Sequence, residues 1–181
     1  MIKKICKLLL RFSKWESDIT VDIPSKCVIC VAPHTSNRDF FLAKIFYTSV
    51  GGGNPHFLMK KEWFFFPLSC LLKSMGGIPV NRKKKQSLTE QMVEKFNLAK
   101  RFQLAIAPEG TRKKNPEWKT GFYYIALKAK VPILLAHIDY LKKKIGITGI
   151  LHPSGDEKQD MQTIKAFYQN FTGRYPEKFA I

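Results

Sequence analysis

Apolar residues along the chain fall into short blocks whose spacing alternates between strand-like and helix-like. Lys26 to Pro33, KCVICVAP, follows the breaker Pro24-Ser25 and is apolar on both faces, the pattern of a buried strand. HTSNRD comes next. Then FFLAKIFYTSV predicts a helix that stops at Gly51-Gly52-Gly53, with Ser36 or Asn37 as its cap. His56 to Met59 predicts a short strand, and Gly77 to Asn81 another. Ser87 to Arg101 has helical spacing through Leu88, Met92, Val93, Phe96 and Leu98. Leu104 to Ala107 reads as a buried strand closed by Pro108, and Gly121 to Lys130 as a helix. Val131 to His137 and Lys144 to Ile150 read as strands, and Asp156 to Phe171 as a closing helix. This alternation predicts an α/β layered single domain, a largely parallel sheet flanked by helices.

Two stretches stand apart from that rhythm. Wound as a helix, MIKKICKLLLRFSKW puts Lys3, Lys4, Lys7, Arg11 and Lys14 in one sector and apolar residues around the rest. That is the pattern of a short amphipathic helix lying in a membrane interface; a helix packed on its own core fits as well. We assign residues 1–20 to it. WFFFPLSCLL, inside Glu62 to Leu72, is too short to span a bilayer and suits either core or an interfacial hairpin.

Charge changes the picture more than length does. The chain has 181 residues and a net charge of +17, with Lys and Arg gathered in runs such as Arg82 to Lys85, Arg112 to Lys114 and Lys142 to Lys144. An anionic partner is expected, either a membrane surface, a phosphorylated small molecule or nucleic acid. At 45% hydrophobic residues, global disorder is excluded. No apolar run reaches the roughly 20 residues of a spanning helix. The four cysteines are too few for a disulfide scaffold and suggest a reducing compartment. Cys27 and Cys30 lie three apart on a predicted strand, hence on opposite faces, and read as core rather than as a metal or redox pair.

Candidate chemistry is concentrated in three segments. His34 ends a predicted strand and Asp39 lies in the first turn of the next helix. A tight turn between them brings the carboxylate to His34 Nδ1, which fixes the tautomer and leaves Nε2 free as a base. Taken alone, the spacing also fits a surface histidine beside a helix-capping aspartate. No protein nucleophile stands nearby, so a substrate hydroxyl would serve. Ala107-Pro108-Glu109-Gly110-Thr111-Arg112 follows another buried strand and reaches the same sheet edge if the strands are parallel. There Gly110 lets backbone amides approach a ligand, Arg112 offers a planar fork for phosphate, and Glu109 can hold an Arg or a substrate hydroxyl. Gly76 to Arg82 ends on Arg82, a second phosphate ligand or the start of a basic loop.

In this order and spacing the segments resemble the blocks of the glycerophospholipid acyltransferase family, the lysophosphatidate acyltransferases. His34 and Asp39 match its His-x4-Asp block. Gly77, Pro79 and Arg82 match the Gly-x-Ile-Pro-Val-x-Arg block, and Pro108 to Arg112 match Pro-Glu-Gly-Thr-Arg. Lys119, Gly121, Val131, Pro132 and Ile133 match its later elements. The resemblance covers roughly residues 25 to 140. It implies an acyltransferase domain over 21–181 that moves a fatty acyl group from acyl-CoA or acyl-carrier protein to the free hydroxyl of lysophosphatidate. It also implies His34 as general base oriented by Asp39, with Arg82, Glu109, Gly110, Thr111 and Arg112 on the phosphate head and Pro132 near the acyl site. No metal or cofactor is implied. The expected partners are a lysophospholipid acceptor, the acyl donor and an anionic membrane surface, with no nucleic acid, and the expected place is peripheral, on the cytoplasmic face. Two alternatives remain: the same chemistry on a lyso-aminolipid, and a non-catalytic basic membrane- or RNA-binding module.

Overall fold

The computed structural model describes residues 1–80 and 87–181. The apolar run KCVICVA forms β2 (Lys26–Ala32), the middle of a sheet that also holds β1 (Glu16–Ile19), β3 (His56–Lys60), β4 (Gly77–Val80), β5 (Phe102–Ile106), β6 (Ile133–Asp139) and β7 (Lys144–Leu151). Their spatial order is β1-β7-β6-β2-β5-β3-β4. Every neighbouring pair is parallel except β6 and β7. That pair is antiparallel because residues 140–143 join it, too short a link for a crossover.

Six α-helices lie among the described residues: α1 (Ile2–Phe12), α2 (Arg38–Ser49), α3 (Leu68–Ser74), α4 (Leu88–Leu98), α5 (Gly121–Ala129) and α6 (Glu157–Tyr168). The two-residue period of β2 divides the core between two faces. Cys27 and Ile29 join Leu10 of α1 and Phe46 and Tyr47 of α2 on one side. Val28, Cys30 and Ala32 join Phe96 of α4, Phe122 of α5 and Ile164 of α6 on the other. The expected α/β layered domain is therefore present, with helices on both faces of a mostly parallel sheet. Burial pushes the Cys27 and Cys30 thiols up to about 12, so both are inert core residues. α4 begins with a reciprocal cap: Ser87 Oγ accepts from the Glu90 N–H at 3.2 Å and the Ser87 N–H donates to Glu90 Oε2 at 2.9 Å.

Two regions differ from expectation. The N-terminal helix stops at Phe12, and Glu16–Ile19 adds an edge strand beside β7, so the boundary expected after residue 20 falls before Glu16. ESDI has no alternating apolar pattern and is mostly exposed, which is why the sequence does not announce it. The aromatic stretch after Lys60 is a 3₁₀ turn (Lys61–Trp63) followed by α3, and it leaves Trp63, Phe65, Phe66 and Leu71 exposed. Arg82 and the basic run through Lys85 lie outside the described residues.

Candidate active site

β2 and β5 lie side by side in parallel register, with Cys30 opposite Ile106. Their carboxyl ends therefore deliver Pro33 to Asp39 and Ala107 to Arg112 to the same edge, the usual place for a site in an open α/β sheet. His34 leaves β2 directly, and Asp39 sits in the first turn of α2. His34 Nδ1 lies 3.3 Å from Asp39 Oδ2, with the His34 side chain 25% exposed and that of Asp39 1%. The buried carboxylate takes two further hydrogen bonds. The Ser36 N–H donates to Oδ2 at 2.8 Å, and the Tyr140 hydroxyl donates to Oδ1 at 2.7 Å. Ser36 Oγ in turn accepts from the Arg38 N–H at 3.1 Å, so Ser36 ties the turn before α2 to both Arg38 and Asp39. Burial, then the bond to Asp39, push the Tyr140 phenol well above its usual range, which keeps it a donor.

Glu109 has a backbone partner that its sequence does not announce. It is 4% exposed, and the His34 N–H donates to both its oxygens at 3.0 Å. Its carboxylate is thus turned to the His34 backbone, and it does not line the groove described below. Burial raises its pKa from the ordinary 4.5 to about 7. The turn that follows is shaped by Gly110, whose φ of +67° favours glycine, and by Asn115, whose side-chain amide donates to the Glu109 carbonyl at 2.8 Å.

His34, Gly110, Thr111 and Arg112 open onto one groove of about 1690 Å³ between α2 and the sheet. An ordinary small-molecule pocket holds roughly 300–1,000 Å³. Beyond the polar end the walls are apolar, with Val31, Phe40, Phe57, Leu72 and Ile106 among them. A histidine poised on a buried carboxylate, flanked by an arginine and facing a long apolar wall, suits proton removal from a hydroxyl on an amphipathic, anionic molecule.

Pro132 lies elsewhere. Its carbonyl accepts from the Val28 N–H at 3.0 Å, and its neighbour Ile133 stands opposite Val28, whereas His137 stands opposite Ala32. Five residues of strand, about 16 Å, separate Pro132 from the edge that carries His34. Val-Pro-Ile begins the strand at the far end.

A family model for acyltransferases matches residues 17–138, which span the His34–Asp39 turn and the Glu109–Arg112 turn. The chain belongs to the Acyltransferase family. This acyltransferase also shares its fold with the 1-acyl-sn-glycerophosphate (LPA) acyltransferase PlsC of Thermotoga maritima, with a TM-score of 0.60 and 18% identity over 95% of this chain and 80% of that one. No curated protein matches it.

Some residues at this end of the acyltransferase are not found by reading blocks. Tyr140 follows β6, and its closeness to Asp39 appears once β6 is placed parallel beside β2 with Ala32 opposite His137. A signal existed in the continuing strand pattern through Ile138. Arg38 stands inside the His34 block and lines the groove, as does Arg174 from the far C-terminus. Of the other histidines, His137 is buried and His56 half-buried, and each lies flat on a phenyl ring. His137 stacks on Phe171 at 4.3 Å and His56 on Phe102 at 4.7 Å, and burial lowers the pKa of both.

Proposed function

We propose that this acyltransferase moves a fatty acyl group from an acyl-CoA or acyl-carrier protein thioester to the free hydroxyl of lysophosphatidate, giving phosphatidate. The observation that carries the reading is the His34–Asp39 couple at the mouth of a groove that joins Arg112 to a long apolar wall. His34 Nε2 takes the proton of the acceptor hydroxyl as its oxygen attacks the thioester carbonyl carbon. Asp39, held by Tyr140 and the Ser36 N–H, keeps the proton on Nδ1 and stabilises the imidazolium. As the tetrahedral intermediate collapses, the carbon–sulfur bond breaks and the imidazolium returns its proton to the thiolate, leaving an ester and a free thiol. No acyl-enzyme forms, and the chemistry requires no resident metal or cofactor. Gly110, Thr111 and Arg112, with Arg82, hold the phosphate head.

The lipid substrate places the work at a membrane. α1 exposes Ile2, Ile5, Leu8, Leu9 and Phe12 together with Lys3, Lys4 and Lys7, while burying Cys6 and Leu10 against the body of the protein. Such a helix can seat its apolar side in the acyl boundary and its lysines among anionic headgroups of the cytoplasmic leaflet. Among the described residues, no helix is long and apolar enough to cross a membrane.

Labelled acyl-CoA and acyl-carrier protein, offered with lysophosphatidate and then with lyso-aminolipids in detergent micelles, test the assignment beside His34→Ala. Phosphatidate should form, and its rate should fall about 10²- to 10⁴-fold in the folded variant. Near-normal turnover by His34→Ala removes the base assignment. Transfer to an aminolipid alone keeps the mechanism and moves the acceptor.

A further inference from the structure

The C-terminal segment after α6 crosses the catalytic edge of the sheet and is tied to it at three points. The Tyr140 N–H donates to the Thr172 carbonyl at 2.8 Å. Gly173 lies so close to Thr35 that a Cβ there would stand 2.9 Å from both Thr35 Oγ1 and Cγ2. The Tyr175 N–H donates to Thr35 Oγ1 at 3.2 Å. Arg174 is therefore held between two contacts to the residue that follows His34, and it lines the groove with His34 and Arg112.

The same segment gathers positive charge. The Arg174 guanidinium lies 5.4 Å from the centre of the Tyr175 ring, and Lys178 Nζ lies 4.1 Å from it. Lys178 lines the groove too. Each cation is thus held against the same ring. Neither they nor Arg38 and Arg112 have a carboxylate partner among the described residues. The carboxylates closest in sequence and space to His34 are already committed, Asp39 to three donors and Glu109 to the His34 backbone. Arg38, Arg112, Lys113, Arg174 and Lys178 line the groove without a carboxylate partner among the described residues and call for an anionic occupant, and a phosphate with two charges and several acceptor oxygens matches guanidinium forks and ammonium groups.

We infer that Arg174, assisted by Lys178, binds a phosphate group of a substrate in the groove beside His34. The inference rests on the acyl-transfer reading for the identity of that substrate and on the groove itself for the phosphate. Residue 174 lies beyond the portion that the family model matches, so this ligand is one the shared blocks do not supply. The phosphate can belong to the acceptor head or to the donor's nucleotide or phosphopantetheine arm.

The test separates these sources. Acceptor and donor are varied in turn with the wild-type chain, Arg174→Gln, Arg174→Lys and Lys178→Gln, and sn-glycerol 3-phosphate and inorganic phosphate are titrated into each protein by calorimetry. Arg174→Gln should raise one KM roughly ten- to a hundredfold, with kcat moving less, and Arg174→Lys should recover part of the loss. A rise for the acceptor assigns the head group, and a rise for the donor assigns the donor phosphate. Both KM values within about twofold of wild type, in variants whose melting is unchanged, overturn the inference. If the wild-type chain transfers no acyl group at all, the function reading falls and calorimetry alone decides. Phosphate binding lost in Arg174→Gln then supports the subsite, and equal or undetectable binding in both proteins overturns it.

Discussion

Glu109 directs a buried carboxylate at a single backbone N–H, that of His34, shared between both oxygens at 3.0 Å. One shared donor compensates the charge poorly, and burial lifts its pKa from 4.5 to about 7. Between those two values the folded chain keeps a proton that the unfolded chain has released. Stability therefore falls as pH rises through that window, by about 3 kcal/mol in all. Gln at the same position still offers an oxygen to the His34 N–H and does not titrate. Thermal or urea unfolding of both proteins at pH 5 and pH 8 should show wild type losing about 2.5 kcal/mol relative to Glu109→Gln at the higher pH. A constant gap between the two proteins would show that the carboxylate is ionised throughout. At this scale the pairing of His34 with Asp39 was legible in the sequence, because both lie within one turn of chain. The contact of Glu109 with the His34 N–H was not legible, because nothing local shows that the His34 backbone stands in front of the carboxylate. Tyr140 was hidden for the same reason: it reaches Asp39 from 101 residues away.

Elements were legible wherever the period was clean. β2, β5, β6, α4 and α6 all carry strong apolar spacing and form where it predicts them. β1 carries none and owes its existence to the edge offered by β7. α1 combines the two readings that its sequence left open. Cys6 and Leu10 face the body of the protein, while Ile5, Leu9 and Phe12 face away. Deleting residues 1–15 would confuse anchoring with folding, since it removes Leu10 from the core and Trp15, whose ring meets Tyr140 edge-on at 5.1 Å. Replacing Ile5, Leu9 and Phe12 by Gln leaves those contacts intact. Sedimentation with anionic liposomes should then weaken by at least about tenfold, since each fully buried side chain of this size is worth roughly 1.5–3 kcal/mol. Unchanged sedimentation by the triple variant would leave α1 a packing helix and nothing more.

Over the whole molecule, parallel strands bring blocks 75 residues apart to one edge, as His34 and Glu109 show. Pro132 fell at the other end because a block's order along the chain does not say which end of a strand it occupies. Charge is the other property of the whole, and it is largely uncompensated. Against +17, the described residues hold two lysine–carboxylate pairs, Lys142 with Asp139 at 3.8 Å and Lys144 with Glu16 at 3.7 Å. Each lysine or arginine near an anionic leaflet contributes about 1 kcal/mol, but only within a screening length that shrinks from about 10 Å at 0.1 M salt to about 3 Å at 1 M. Apolar insertion by α1 does not depend on that length. The two contributions should therefore separate by ionic strength. Wild-type protein on anionic vesicles should largely dissociate when salt is raised from about 0.1 to about 1 M, leaving a residue of binding that matches its binding to neutral vesicles. The α1 triple variant should lose that residue while keeping the salt-sensitive part. Binding by the wild-type chain that is indifferent to salt would mean that its excess charge faces substrates and not the membrane, which moves the basic runs from anchoring to the groove.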